Sequence, residues 1–456
     1  MYTEGEIVKY ILNLLLNQIF GQPFLLMAII VFIGYICMKQ KFSKALMGAT
    51  KASVGITVMG MGSSALINNF GKLLTAVQTA TGINGAGLNT YPAMTASYEK
   101  MDAILGSGTG ATWGIYTLLA AFCINLVMVA FQKYTKIRAV FLTGNVMLVQ
   151  TGITTYIVWR FLGLGMMPTV LIAATVTAVY WGISSTMLIK PTAAITGADF
   201  TVAHQQMFFS WLSYKVAPFI GNPEKDDIEK KKMPQSLNFL QDNIIATCLV
   251  MILSAIAIFL VIGQDNIDWL RSAEGLNQAG LKNNVIFLIW ISITLTANIT
   301  VLLYGVRMFV GELMMSFKGI SDKLLPGAVA GVDCAAIFAF APKSVVLGLL
   351  FGSLGEVIGL ILLLIFKSPI FLVPGFIPLF FDNATVAIFA NKFGGWKAAV
   401  ILCTLCGLVQ ILGSAMAVNM MDLSWWQGNI DYATVWVAII AVFKFIGSML
   451  GIPIAG

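Results

Sequence analysis

Charge is what this sequence has least of. Only 10% of its 456 residues are charged, against about 25% in an ordinary soluble domain. That shortage excludes a water-solvated globular chain: 58% of the residues are hydrophobic and the mean hydropathy is +0.88. Histidine is scarcer still, with His204 alone. One imidazole among scattered carboxylates gives little basis for a membrane enzyme. Cysteine is sparse, and Cys403 and Cys406 form a CxxC inside an apolar stretch with no partner pair or histidine nearby. A zinc site needs more ligands, so these thiols read as helix packing, and no metal or cofactor is expected. Long polar segments are also missing. The longest, Gly221 to Gln241, carries the mixed run EKDDIEKKK and is far shorter than a domain. It reads as a cytoplasmic loop over about 222–240, and any soluble partner is expected as a separate polypeptide. A basic n-region is absent as well, since Glu4 and Glu6 stand where a cleaved signal would be positive.

What is present is apolar sequence in bilayer-length blocks. A bilayer core of ~30 Å takes ~20 apolar residues per helix. Candidate spans run over 24–38, 46–62, 112–131, 140–160, 168–189, 241–263, 284–304, 343–366, 397–419 and 433–453. With the broken stretches between them they imply an all-α, multi-pass membrane protein of about eleven transmembrane helices. The net charge of +7 comes from small loop clusters. Lys39, Lys41, Lys44 and Lys51 form one, Lys133, Lys136 and Arg138 a second, and Lys230, Lys231 and Lys232 a third. This is positive-inside topology rather than a nucleic-acid surface. Residues 1–22 alternate Ile7, Ile11, Leu14, Leu15 and Ile19 with Glu6, Lys9, Asn13 and Asn17, which predicts an interfacial helix resting on membrane lipid.

Four stretches break the helical pattern at membrane depth: Gly60 to Ser64, Gly82 to Pro92, Pro326 to Pro342 and Pro369 to Pro378. Unpaired backbone cannot face hydrocarbon, so such segments are buried in protein or line a wet cavity. They also look paired. Gly55 to Leu73 resembles Gly305 to Leu324, Thr90-Tyr91 falls near Asp333, and Phe141 to Gly144 resembles Phe371 to Gly375. Two inverted repeats, over about 46–190 and 300–420, are expected, with re-entrant tips meeting at one cavity.

Candidate ligand groups follow from that placement. Asp333 is a carboxylate at membrane depth, which costs ~2.5–3.5 kcal/mol on insertion scales. A sugar hydroxyl, a cation, a proton, or an internal pair with Lys343 or Arg307 would offset it. His204 opens the cluster His204-Gln205-Gln206, whose imidazole and carboxamides offer donors and acceptors to a polyhydroxylated solute. Thr90 and Tyr91 lie in a glycine-rich break, and Ser63 and Ser64 follow a Gly-x-Gly break. Arg307 and Glu312 read as a structural ion pair. An ion-coupled secondary transporter stays open at this level, with Asp333 binding the cation or proton.

Long ordered runs then carry a family resemblance: NTYPAM at 89–94, FLTGNVM at 141–147, YWGISSTM at 180–187, KPT at 190–192, HQQMFFSWLSYKVAPFIG at 204–221, GVRMFVGEL at 305–313, LPGAVAGVDCAAIFAFAP at 325–342 and PGFIPLFFDNATVAIFANKFGGWKAA at 374–399. Together they resemble the membrane (IIC) subunit of the L-ascorbate family of phosphoenolpyruvate-dependent phosphotransferase systems. The resemblance implies a homodimer in a bacterial cytoplasmic membrane. Each protomer would have a substrate-carrying core and a V-shaped scaffold, and transport would be an elevator-like movement of the core. Separate cytoplasmic IIB and IIA proteins would phosphorylate the sugar, the chain having no phospho-acceptor of its own. Carried over position by position, the ligand set is Ser63, Thr90, Tyr91, His204, Gln205 and Asp333, with Asn145 and Gln150 in the same shell. Asn145 stands where ascorbate-type members have histidine, and Val149-Gln150 where they have a Gln-Gln pair. Sites are matched to ligands group by group, so a related acidic or neutral sugar, or a pentitol, stays open beside L-ascorbate.

Overall fold

The computed structural model describes residues 23–81, 85–231, 243–323 and 325–454. The expected interfacial helix over 1–22 and most of the second half of the polar loop lie outside the described residues. The chain is mainly helical. In order it forms α1 (Pro23–Cys37), α2 (Phe42–Thr81), β1 (Gly85–Leu88), α3 (Thr90–Leu105), α4 (Thr109–Ala130), β2 (Ala139–Phe141), α5 (Gly144–Leu162), α6 (Met166–Met187), α7 (Ile189–Thr196), β3 (Phe200–Val202) and α8 (Met207–Ile220). It continues as α9 (Asn243–Arg271), α10 (Asn284–Lys323), β4 (Val329–Val332), a 3₁₀ segment (Cys334–Phe340), α11 (Pro342–Ile365), β5 (Phe371–Val373), α12 (Phe376–Met421), β6 (Trp425–Trp426) and α13 (Val435–Met449). Among the described residues, five helical stretches are long and apolar enough to cross a membrane: Thr109–Ala130, Met166–Met187, Asn284–Val301, Pro342–Ile365 and Ile377–Met421.

Three of the four expected breaks are non-helical. Gly85–Leu88, Val329–Val332 and Phe371–Val373 leave the helical pattern as short strands. The fourth is a correction: Gly60 to Ser64 sits inside the uninterrupted 40-residue α2. Glycine weakens a helix by only about 1 kcal/mol per residue, and no proline is there to remove a hydrogen bond. At 1.5 Å per residue α2 and α10 each run about 60 Å, twice the bilayer core, so neither is a simple upright span.

The strands form two small parallel sheets, in the orders β5-β1-β6 and β2-β4-β3. These sheets were not anticipated from the sequence. They answer the backbone problem at membrane depth, because every extended segment finds a neighbour for its amides. Gly331 is required in the second sheet: a Cβ there would press at 2.9 Å on both the Val140 carbonyl and Ala203.

Helices α11 and α12 pack through a small-residue stripe. A Cβ at Gly352 would strike the Asn383 side chain, at Gly355 the Thr404 carbonyl, and at Gly359 Ile411. Close backbone approach of this kind is how helices associate without a hydrophobic driving force. Helix α12 breaks at Gly395, with φ 78°. Helices α1, α2, α9 and α10 pack chiefly on one another; α4, α5 and α6 form a second group and α8, α11 and α12 a third, with α13 lying against α5 and α12. The first group is joined by Glu312 of α10, which accepts from Tyr35 (2.6 Å) and pairs with Lys51 (3.4 Å). Arg307, expected as the partner of Glu312, is exposed instead.

Candidate functional site

The second sheet ends where the polar groups gather. Its central strand β4 runs into Asp333, whose carboxylate turns back to accept from Ala335 N at 2.9 Å and caps the 3₁₀ segment. Strand β3 runs alongside in register and delivers Ala203 and then His204. Thr143, just past β2, donates to the Ala203 carbonyl at 2.6 Å and holds that turn. His204, Asp333 and Cys334 thereby meet, with one nitrogen, oxygen or sulfur atom from each within 4.8 Å of the others. All three are buried.

Gln206 fixes the histidine. Its carboxamide oxygen accepts from Gln205 N (2.9 Å), and its nitrogen donates to the Phe381 carbonyl (3.3 Å) and Thr385 Oγ1 (2.8 Å). Backbone groups thus dictate which end of the amide is oxygen. His204 Nδ1 lies 2.6 Å from that oxygen, so Nδ1 carries the proton and Nε2 of the neutral ring is a bare acceptor. The ring stacks on Phe381 with centroids 5.8 Å apart.

Gln150, from the expected ligand set, is engaged at both ends of its carboxamide. It donates to the His204 carbonyl at 3.3 Å and accepts from Trp181 Nε1 at 2.5 Å. Its place is behind the histidine loop, which it holds. Gln205 is 1% exposed, and its side-chain oxygen has no hydrogen-bond partner among the described residues. Thr90 is buried and lies on the other side of the same assembly, donating to Asn429 at 3.4 Å. The loop carrying Asn429 continues to Asp431, whose amide donates to the Gln205 carbonyl at 3.2 Å. His204 and Asp333 are therefore brought together, Gln205 follows the histidine in the same buried loop, Gln150 supports that loop, and Thr90 joins through a second loop. Ser63 lies within α2, Tyr91 in the first turn of α3 and Asn145 in the first turn of α5; their side chains are outside the described set. Asp333 pairs with neither expected cation: Lys343 donates to the Glu229 and Lys231 carbonyls, and Arg307 is exposed.

Sequence reasoning passed over a second buried network. Asp382 accepts from Asn429 Nδ2 (2.9 Å), Ile430 N (2.5 Å) and Gln410 Nε2 (3.1 Å). Asp431 accepts from Tyr180 (2.5 Å), Phe208 N (2.8 Å) and Phe209 N (3.1 Å), which places a carboxylate at the start of α8, where the helix dipole favours it. An ionisable residue inside an apolar run, as in FFDNATVAIFA, was the signal available. Elsewhere, a cavity of about 620 Å³ opens between α9 and α10. Its lining is almost wholly apolar, with Thr296 and Thr300 the exceptions, and it offers a polar solute nothing.

Comparison with known proteins agrees with the resemblance. A family model described as PTS system sugar-specific permease component, EIIC-GAT, matches residues 18–445. A protein of Mycoplasma pneumoniae (strain ATCC 29342 / M129 / Subtype 1), called ascorbate-specific PTS system EIIC component, is 28% identical over 440 residues. The match covers 89% of this chain and 66% of that relative, so the chain spans just under two thirds of its length.

Proposed function

Because this chain belongs to the EIIC-GAT family of sugar-specific permease components of the phosphotransferase system, we propose that it translocates L-ascorbate or a related sugar, which a separate IIB protein, recharged by IIA, phosphorylates on the cytoplasmic side. One observation carries the substrate class. His204 Nε2, the second oxygen of Asp333 and the Gln205 side-chain oxygen make no hydrogen bond among the described residues. All three are acceptors and all three residues are buried. Unmet acceptors on neighbouring buried residues call for a ligand rich in hydroxyl donors, since a buried polar group left unpaired costs ~1–3 kcal/mol. The name of the Mycoplasma relative favours ascorbate among such ligands.

The wider expectations belong to the same reading. We take the binding set as Ser63, Thr90, Tyr91, Asn145, His204, Gln205 and Asp333, with Gln150 supporting. Inverted repeats are supported by chain positions: Phe376 follows Gly144 by 232 residues, as Asp382 follows Gln150 and Gly395 follows Gly163, both of these glycines having positive φ. The packing of α1, α2, α9 and α10 apart from the other helices supports a core moving against a scaffold in an elevator cycle, in a homodimer of about eleven spans per protomer in a bacterial cytoplasmic membrane.

The test is reconstitution in proteoliposomes with IIB, IIA and the general phosphotransferase proteins. Labelled ascorbate should be recovered inside as a phosphate ester, and only when phosphoenolpyruvate is supplied. Free sugar accumulating on a sodium or proton gradient would replace this reading with an ion-coupled transporter.

A further inference from the structure

We propose that the cluster of His204, Asp333 and Cys334 is also a binding site for a zinc-type divalent ion, which excludes the sugar from its pocket and so inhibits transport. The competition arm rests on the functional reading above; the metal site itself does not.

The chemistry of the three donors is that of a three-ligand zinc site: one imidazole, one carboxylate and one thiolate, the fourth position of such a site being taken by water. The separations fit a small adjustment. A tetrahedral ion with bonds of about 2.0–2.3 Å sets its ligand atoms roughly 3.3–3.8 Å apart, while the three here lie within 4.8 Å of one another. The supports are already built. Metal-bound histidine donates its other ring N–H to a fixed acceptor, and Gln206 fills that role at Nδ1, leaving the Nε2 lone pair free. Ala335 N orients the carboxylate through one oxygen and leaves the other. Cys334 lies beside Thr385 and Gln206, the same groups that orient the histidine. All three residues are at least nine-tenths buried, with exposures of 6% for His204, 3% for Asp333 and 0% for Cys334. Binding displaces the thiol proton to solvent and consumes no redox equivalent. Cys334 sets this ligand class apart from a sugar. Hydroxyl groups need acceptors, which His204 and Asp333 supply, whereas a thiolate adds a preference for softer metals.

The Cys403–Cys406 pair is the competing location, and the experiment separates the two. The full chain in lipid nanodiscs, without sugar, is titrated with Zn²⁺ against a chromophoric chelator. One ion per chain is expected, with affinity falling about tenfold or more in Cys334→Ala and in His204→Gln, and unchanged in Cys406→Ala. X-ray absorption of the zinc-loaded wild type should give a mixed shell with one sulfur near 2.3 Å and lighter atoms near 2.0–2.1 Å, a readout that needs no variant to fold. Wild-type affinity in Cys334→Ala, loss in Cys406→Ala, or a shell with two sulfurs or none overturns the site. Zinc that binds with this shell yet leaves ascorbate affinity untouched overturns the competition and keeps the site. Failure of ascorbate to bind in the absence of zinc counts against the functional reading alone.

Discussion

At the scale of single residues, the proposed site divides into side chains that would meet ligand and side chains that hold them. Asp333→Asn and His204→Ala each remove an acceptor from the pocket. They should weaken ascorbate binding by about 1–3 kcal/mol, roughly five- to 150-fold, while leaving detergent-extracted assembly unchanged in size-exclusion chromatography. Wild-type affinity in both variants would put the sugar elsewhere. Val149 behaves differently. It stands where ascorbate-type members have a carboxamide, and its side chain is fully buried among apolar neighbours. Val149→Gln should therefore lower the melting temperature through an unsatisfied carboxamide instead of tightening ascorbate. A gain in affinity without a loss of stability would show that position 149 does face the sugar. Asp333 and His204 were legible because a polar residue in an apolar run has to be explained. The supporting role of Gln150 was not, since its two partners, the His204 carbonyl and Trp181, lie 54 and 31 residues away in sequence.

At the scale of elements, helix contacts depend on what side chains leave out. A Cβ on Gly355 would overlap the Thr404 carbonyl, and Leu408 N is 2.8 Å away. These are backbone atoms and cannot swing aside. Gly355→Ala should cost stability at or above the ~1–3 kcal/mol typical of overpacking, whereas Gly165→Ala, with open space around it, should cost little; equal melting temperatures for the two would sink the packing argument. The polar loop after α8 offers a pH test outside the membrane helices. Partial burial pushes the Asp226 carboxyl up, but hydrogen bonds from Lys397 and Lys231 outweigh it and hold the group below its ordinary range. A carboxylate lowered in the folded state adds stability above its unfolded pKa of about 3.9 and loses it as pH falls through the lower folded value. Protection of the amides over 223–231, relative to their intrinsic exchange rates at each pH, should fall below about pH 4 in the wild type, and the acid step should be smaller in Asp226→Asn. Five of the ten candidate spans and three of the four breaks could be read from hydropathy and from glycine and proline. That the breaks are strands could not: three or four extended residues carry no period, and their partners are far along the chain.

At the scale of the whole molecule, the strands tie the two halves together. In one sheet β1, from the first half, lies between β5 and β6 of the second. In the other, β4 of the second half lies between β2 and β3 of the first. Each half therefore supplies the centre of one sheet and both edges of the other, and neither can satisfy its own extended backbone at membrane depth. The same exchange sets His204 of the first half beside Asp333 of the second, so the pocket is a product of both. Cutting the chain within the polar segment 232–242 should give two fragments that fail separately and recover together. Expressed alone, the fragments ending at 231 and beginning at 243 should be degraded or aggregated. Expressed together, they should co-purify through a tag on either one and restore ascorbate binding, since every strand and helix among the described residues stays whole. If either fragment alone is monodisperse and retains protected strand amides, the interlocked sheets are not what holds the halves together.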